Sequence, residues 1–394
     1  MPVLISNTDL WTYSDGVSYL CDAAMIDRPG MNERHARAAL RWAYRDLPAR
    51  HPWSYYYRQR ILQTVADYST GTVVFDFSGG ANERMLTLTT GTWPSWAGFG
   101  RVIIDSVHYE VEYRVSDSII TLSETSNPGA DVASTTYTIY RNSYPLPANF
   151  GVVEKLWYVD GNHPITMIDP KNQHESLQIF YTTPGVPQHA TIRATGKYVG
   201  GFEITYGPPP GDIYTYDLLF QSYPRPLAID EYSTGTVAIT SGAATVTGTS
   251  TVFPTTCAGS IIRFSSGPTK PSSYLGSLDG ADNPFVYQAV IKSRDTATQL
   301  TLEEVMPTTI ATLSGVGFTI SDPLDIEPQR MLTPLLRMAE GEFSRLRGEQ
   351  AMMAKINYGR QALREAMEAD ELFVVGSAPN TSDPYRNSTV TNSA

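Results

Sequence analysis

The chain has 394 residues, too many for one small core, so its length indicates two to four domains. Its formal net charge of −11 argues against general binding to nucleic acid or to anionic membranes. Two distant cysteines, Cys21 and Cys257, exclude a disulfide framework and a zinc-ligand spacing; we expect both to be buried thiols, and we expect neither a signal peptide nor a membrane span.

Residues 32–48 carry a strong helix pattern. Asn32 is a candidate N-cap, and Leu47 before Pro48 favours an end at that point. Apolar residues recur at intervals of three and four and predict a stripe that packs into a core, with arginines on the opposite face. The stripe residues assigned to the helical core are Ala36, Ala39, Leu40 and Ala43, and the arginines are Arg34, Arg37, Arg41 and Arg45.

The arginines have three possible roles. Between residues 28 and 60 there are eight arginines and only two acids, with tryptophan and tyrosine between them. The pattern fits contact with nucleic acid, a protein interface or a solvated helix face. The acidity of the whole chain favours the protein interface, where arginine could pair with an acidic neighbour.

The hexapeptide YSTGTV occurs at 68–73 and again at 232–237 and opens a repeat. Each copy continues with a Thr-rich strand pattern, an aromatic residue before proline, and a closing strand of aromatic, Thr and Ile. Short alternating strands at this spacing predict two small barrels or sandwiches, 63–144 and 230–322. In the first copy Trp93, Trp96 and Tyr137 could instead form a platform that binds sugar rings.

Other segments lie around and between the repeats. The stretch 145–229 predicts a compact antiparallel β unit, with GPPPGD as its sharp turn. Residues 323–375 predict a long helix, with Thr333 as candidate cap, Pro334 in the first turn and a kink or break near Gly348. The tail 376–394 is polar and without period. The C-terminal core positions are Leu335, Ala339, Phe343 and Leu346.

Neither terminal helical part, 1–62 or 323–375, can bury its apolar stripe alone. Packing them together would bring both chain ends into one helical domain, from which the β units extend. The sequence therefore predicts an α+β fold with terminal helices, an antiparallel β core and two repeated β modules.

The sequence carries no recognisable catalytic motif. No histidine pair has metal-ligand spacing, and no nucleophile elbow or phosphate loop is present. We therefore expect a protein that is not an enzyme and that holds no metal or cofactor. Two alternatives stay open: a carbohydrate-binding tail protein, and a glycoside hydrolase whose carboxylate pair meets only in space.

The framework outside the repeats resembles the head-to-tail adaptors of tailed bacteriophages, most closely the tail-tubular-A-like adaptors of short-tailed phages. The resemblance rests on the turn residues of LPANFGVVEKLWYVDG, TTPGVPQHA and ITYGPPPGDIYTYDLLFQSYPRPL, and on the final helix with Ala362, Leu363 and Asp370. It covers roughly 1–60, 145–228 and 325–375. The two YSTGTV modules fall outside it.

The resemblance implies a virion protein of the neck, assembled in the host cytoplasm as a ring that usually has twelve copies. Its partners would be the portal protein, the tail nozzle, neighbouring copies and possible tail fibres at an outer rim, while genomic DNA passes through without specific binding. Residues that would contact the portal or a neighbouring copy are the four arginines named above, with Tyr385 and Arg386 in the tail.

Deleting residues 376–394 tests the role of the tail. Because this stretch has too few apolar residues to contribute to a core, we expect an unchanged melting temperature and weaker attachment to a portal protein. Thermal unfolding and a portal pull-down measure the two effects. Normal attachment of the shortened chain would show that the tail has no such role.

Overall fold

The structure, a computed structural model, describes residues 10–25, 30–77, 83–172, 183–194, 201–270 and 285–376. The fold is α+β, as the sequence predicts. The chain divides into two compact units, Met1–Tyr56 with Pro224–Ala394, and Tyr57–Tyr223. The described helices and the second β module belong to the first unit, and the first β module belongs to the second.

Four helices lie in the described parts of the chain, two near each end. They are α1 (Tyr13–Ala23), α2 (Met31–Arg50), α3 (Pro328–Arg347) and α4 (Met352–Gly376). Residues from all four helices contribute to one hydrophobic core. The two ends of the chain therefore bury their apolar faces against each other.

The predicted stripe residues lie in this core. Ala36, Ala39, Leu40 and Ala43 are buried, together with Leu335, Ala339 and Phe343, while Leu346 is half-buried at its edge. Small residues also let α3 and α4 pack closely. A Cβ on Gly341 would lie 3.1 Å from the Ile356 Cα, and one on Gly359 would lie 3.0 Å from the Arg337 carbonyl oxygen.

Several predicted helix ends are wrong. Asn32 is not a cap, because α2 already begins at Met31 after Gly30, and α2 continues through Pro48 to Arg50. A proline so close to the end disrupts only the last turn, where few backbone bonds remain to be lost.

The second helical region also begins earlier than expected. Thr333 lies inside α3, which starts at Pro328, since proline suits the first helical position. The predicted break at Gly348 is confirmed: its φ of 69° is left-handed and separates α3 from α4.

The strands of the unit 57–223 include one that was assigned to the helical part. Residues 57–62 form most of β1 rather than helix, because they follow a 3-10 turn and pair with β15 along their length. The strands are β1 (Tyr57–Gln63), β2 (Val73–Asp76), β3 (Met85–Leu88), β4 (Arg101–Ile104), β5 (Val107–Arg114), β6 (Ile119–Leu122), β7 (Val132–Thr135), β8 (Tyr137–Tyr140), β9 (Ser143–Pro145), β10 (Phe150–Tyr158), β11 (His163–Pro164), β12 (Thr166–Met167), β13 (His189–Ala194), β14 (Phe202–Gly207) and β15 (Thr215–Ser222).

The remaining described strands belong to the second module, in the other unit. They are β16 (Thr236–Ile239), β17 (Thr245–Thr249), β18 (Ile261–Ser265), β19 (Phe285–Thr296), β20 (Gln299–Leu302), β21 (Leu313–Val316) and β22 (Phe318–Ser321).

The two repeats have the same topology. The first is a seven-stranded sheet in the order β7-β2-β3-β6-β5-β4-β8, and the second is a seven-stranded sheet in the corresponding order β21-β16-β17-β20-β19-β18-β22. In each, the tyrosine of YSTGTV forms an isolated bridge to the isoleucine of the last strand, Tyr68 to Ile139 and Tyr232 to Ile320. Each module encloses its own hydrophobic core.

The glycine of the hexapeptide has the same structural role in both copies. Gly71 has φ 84° and Gly235 has φ 86°. An added Cβ would lie 2.5 Å from the Thr90 carbonyl oxygen in one copy and 2.5 Å from that of Ser250 in the other. Only glycine satisfies both conditions, so the repeated letters reflect one repeated turn.

The predicted central β unit follows β8 in the chain and, unlike the prediction, also includes β1. It consists of two four-stranded sheets, β1-β15-β10-β11 and β12-β13-β14-β9, whose pairs are antiparallel apart from β12 with β13. Their shared core is rich in tyrosine, and the rings of Tyr206 and Tyr216 stack with centroids 4.6 Å apart.

Truncation of Phe343 tests the joint helical core. Its side chain is 2% exposed, so we expect Phe343→Ala to lower the free energy of unfolding by about 3–5 kcal/mol. Leu346→Ala, at the half-buried edge, is the matched control and should cost clearly less. Urea unfolding measures both, and equal losses would contradict the burial order.

Candidate interface and junctions of the helical domain

The buried carboxylate of Asp370 ties α4 to the segment that follows α2. Ser54 donates to it from its backbone N–H at 2.9 Å and from its hydroxyl at 2.6 Å. His51 Nε2 donates at 3.2 Å, and Arg330 Nη1 of α3 donates at 2.7 Å. Because Asp370 is 1% exposed, its charge depends on these donors, and the four bonds connect both ends of the chain.

A second junction lies in front of α1. The backbone of Leu324 donates to the carbonyl of Trp11 at 2.8 Å, and that of Tyr13 donates to the carbonyl of Asp322 at 2.7 Å. Thr12 then caps α1, and Asp15 completes its capping box. The chain before the first helix therefore pairs directly with the chain after the last module strand.

Asp15 also holds the second module. Its carboxylate accepts two hydrogen bonds of 2.8 Å from the Arg263 guanidinium of β18. Both side chains are almost fully buried. A buried ion pair stabilises only when its geometry is good and its remaining groups are bonded, and here Arg263 also donates to Gln288 and to the carbonyl of Leu10.

Asp322, just after β22, forms a third junction. Its carboxylate accepts from the backbones of Ala228 and Ile229 at 2.6 Å each, from the Ser260 hydroxyl at 2.6 Å and from Arg225 at 3.1 Å. The Tyr44 hydroxyl on α2 donates to the carbonyl of Arg225 at 2.9 Å. Burial raises the pKa of Tyr44 well above its usual range, so it stays a neutral donor.

The first module has different residues at the matching positions. The strand registers align Arg263 with Ile103 and Asp322 with Arg141. Arg141 lies over the rings of Phe99 and Tyr144, 5.2 Å and 4.7 Å from their centroids. The same module fold thus carries two different sets of attachment residues.

The arginines of α2 have separate environments. Arg37 bonds internally, at 2.5 Å to Asp230 and at 2.8 Å to Glu33, so it is a structural residue rather than a free contact. Arg41 is exposed and lies 5.3 Å from the centroid of the Tyr13 ring, while Arg34 and Arg45 are exposed. Tyr385 and Arg386, predicted to share their role, lie outside the described residues.

A groove runs between α2, α3 and α4. It encloses a cavity of about 510 Å³. Trp42, which is 45% exposed, forms one wall, and Met338, Ile356 and Leu363 form apolar parts of the others. An exposed tryptophan beside an apolar groove is typical of a protein interface.

The proposed sugar platform is wrong for two of its three residues. Trp93 is 1% exposed and Tyr137 is 5% exposed, since both rings pack into the core of the first module, 5.1 Å apart. A ring enclosed in a core has no face for a sugar. Trp96 is half-buried against the same core, which leaves no aromatic surface of the predicted kind.

The described residues offer little further chemistry. Among them, no group of three or more His, Cys, Asp or Glu side chains could hold a metal ion, and no helix is long and apolar enough to cross a membrane. Cys21 and Cys257 are buried in two separate hydrophobic cores, as the expectation of buried thiols requires, and burial raises the pKa of Cys257.

Neither α1 nor the buried carboxylates Asp15, Asp322 and Asp370 were predicted from the sequence as structural elements. Thr12 and Asp15 have the spacing of a capping box, which could have revealed the helix. Asp370 lies four residues after the buried Ala366, on the apolar side of α4, where an isolated acid indicates a buried partner. No such pattern in the sequence identifies Arg263 or Asp322.

Comparison with protein-family models, with curated proteins and with solved structures gives no match to this chain.

Replacing the Asp370 carboxylate tests the junction between the chain ends. Asp370→Asn removes the charge that Arg330 and the other donors surround, so we expect unfolding to become easier by about 3 kcal/mol. Asp46→Asn breaks only an exposed pair with Arg50 and should cost less than about 1 kcal/mol. Chemical denaturation compares the two, and a neutral Asp370→Asn would contradict the role given to this carboxylate.

Proposed function

We propose that the chain is a non-enzymatic adaptor subunit that joins the portal of a tailed phage to its tail and forms part of the DNA conduit. The observation that carries this proposal is the single helical core built from both chain ends, held by the Asp370 and Asp322 junctions. Such a core is a rigid base from which β modules can extend. The sequence resemblance described above concerns the same segments.

The helical domain is the part that we expect to attach to the portal. It has an apolar groove with an exposed tryptophan. Aromatic side chains are common anchors of protein interfaces. In a ring, each copy would present this surface on the same side, so a weak single contact would be multiplied by the copy number.

The β modules suit a structural role better than a binding role for sugars. Four of their large aromatic residues lie in the module cores: Trp93 and Tyr137 in the first, Phe253 and Phe318 in the second. We therefore expect the modules to form the outer part of the assembly, where their different attachment residues give the two copies different positions.

Attachment to a portal is tested with the portal protein encoded in the same genome. We expect the chain to be monomeric or weakly associated alone and to form rings, of about twelve copies as the resemblance implies, when portal is added; sedimentation and negative-stain images show both states. Trp42→Ala should weaken attachment at least ~10-fold, because it removes the exposed anchor of the groove.

Trp157→Ala is the matched control, since this tryptophan is 38% exposed but lies in the other unit. It should attach like the wild type. A wild-type chain that never binds portal, or that is a tight dimer without portal affinity, would overturn the proposed function.

A further inference from the structure

Three exposed arginines form a row along α2. At 100° per residue they fall within an arc of roughly 40° and extend along roughly 16 Å of the helix. The two acids of α2 are engaged elsewhere, Glu33 with Arg37 and Asp46 with Arg50. None of the three forms an ion pair within the described part of the chain. The arginine row is Arg34, Arg41 and Arg45.

An acidic surface, opposite in charge to the arginine row, lies near the end of α4. Three exposed glutamates share an arc of roughly 120° there. One of them accepts a hydrogen bond from the Gln361 amide, but none forms an ion pair with a described residue. The acidic end is Glu365, Glu368 and Glu371.

The acidic end is unfavourable for an isolated helix. The C-terminus of a helix carries a partial negative charge, and α4 has no basic residue in its last turn. Arg360 and Arg364 lie on the same side of α4 but nearer its start, so the charge along this side changes sign. Cations from another molecule would therefore stabilise the last turns in particular.

Resting on the proposed function, we propose that the arginine row of one copy docks against the acidic end of α4 in a neighbouring copy. Each copy carries one surface of each sign, and within a copy no ion pair joins them among the described residues. A contact between two different patches repeats head to tail and closes into a ring when the rotation allows. The acidic chain as a whole disfavours DNA as the occupant of the arginine row.

Paired charge reversals test this contact in the full chain. One variant carries Arg41→Glu and Arg45→Glu, and the other carries Glu368→Arg and Glu371→Arg. Each alone places like charges opposite each other, so we expect the dissociation constant for self-association to rise at least ~10-fold. Sedimentation velocity at about 10 mM ionic strength, where screening extends over about 30 Å, gives the constants.

Mixing the two variants in equal amounts is the decisive measurement. In an alternating chain every interface then pairs glutamates with arginines, so association should return to the wild-type level. Because simple destabilisation of either variant could not be repaired by mixing, recovery assigns the effect to this interface. No recovery, either in free solution or in rings assembled on portal, would overturn the inference.

Control variants separate the contact from net charge. Lys155→Glu with Lys292→Glu matches the first variant in charge, and Glu154→Arg with Glu304→Arg matches the second; all four residues are exposed elsewhere. They should associate like the wild type. Equal weakening by the controls would assign the effect to net charge and sink the proposed contact.

The same variants distinguish this inference from the function on which it rests. If the wild type forms rings on portal and both reversals leave those rings intact, the contact is wrong and the adaptor function stands. If reversals and mixing behave as expected but the chain never binds portal, the contact stands and the adaptor function fails. Loss of binding to a duplex oligonucleotide, with self-association unchanged in the arginine variant, would instead assign the row to nucleic acid.

Discussion

The first unit depends on buried carboxylates that bridge distant parts of the chain. Asp370 collects donors from two segments, residues 51–54 and α3, and Asp322 collects four donors around the end of the second module. A buried carboxylate is tolerated only when its acceptor sites are filled, so each one fixes the backbone that brings its donors. Apolar packing brings the terminal helices together, and these carboxylates determine how the segments align.

The two modules show how one fold can be attached in two ways. Their strand orders and their tyrosine bridges agree, but the residues that contact structure outside the module differ. Where the second module has Arg263 and Asp322, the first has Ile103 and Arg141. Core positions are constrained by packing within the module, whereas attachment positions are constrained by the neighbouring structure. The two copies can therefore differ at the attachment positions and keep the same fold.

Much of the fold could be predicted because it depends on local patterns. Helical spacing identified the α2 stripe from Ala36 to Ala43, and repeated letters identified the two modules. The starts of α2 at Met31 and of α3 at Pro328 are earlier than predicted, because Asn32 and Thr333 are residue types that commonly cap helices. The roles of Arg263 and Asp322 could not be predicted, since Arg263 pairs with Asp15, 248 residues away, and Asp322 accepts from residues 62 to 97 positions away.

The candidate surfaces were only partly visible in the sequence. Periodicity placed four arginines on one face of α2. It could not show that Arg37 forms an ion pair with Asp230, a residue at the start of the second module. Composition suggested an aromatic platform on the surface, but an aromatic residue in a β module can equally pack in the hydrophobic core. The burial of Trp93 follows from the closure of the sheet around it, which no single strand reveals.

The left-handed turn of the YSTGTV segment explains why both copies have the same glycine. At Gly71 and Gly235 the left-handed backbone and the nearby carbonyl oxygen leave no room for a side chain, so both copies require glycine at that position. Moving such a module into another scaffold would require keeping the glycine of that turn and replacing the residues that attach the module to its neighbours.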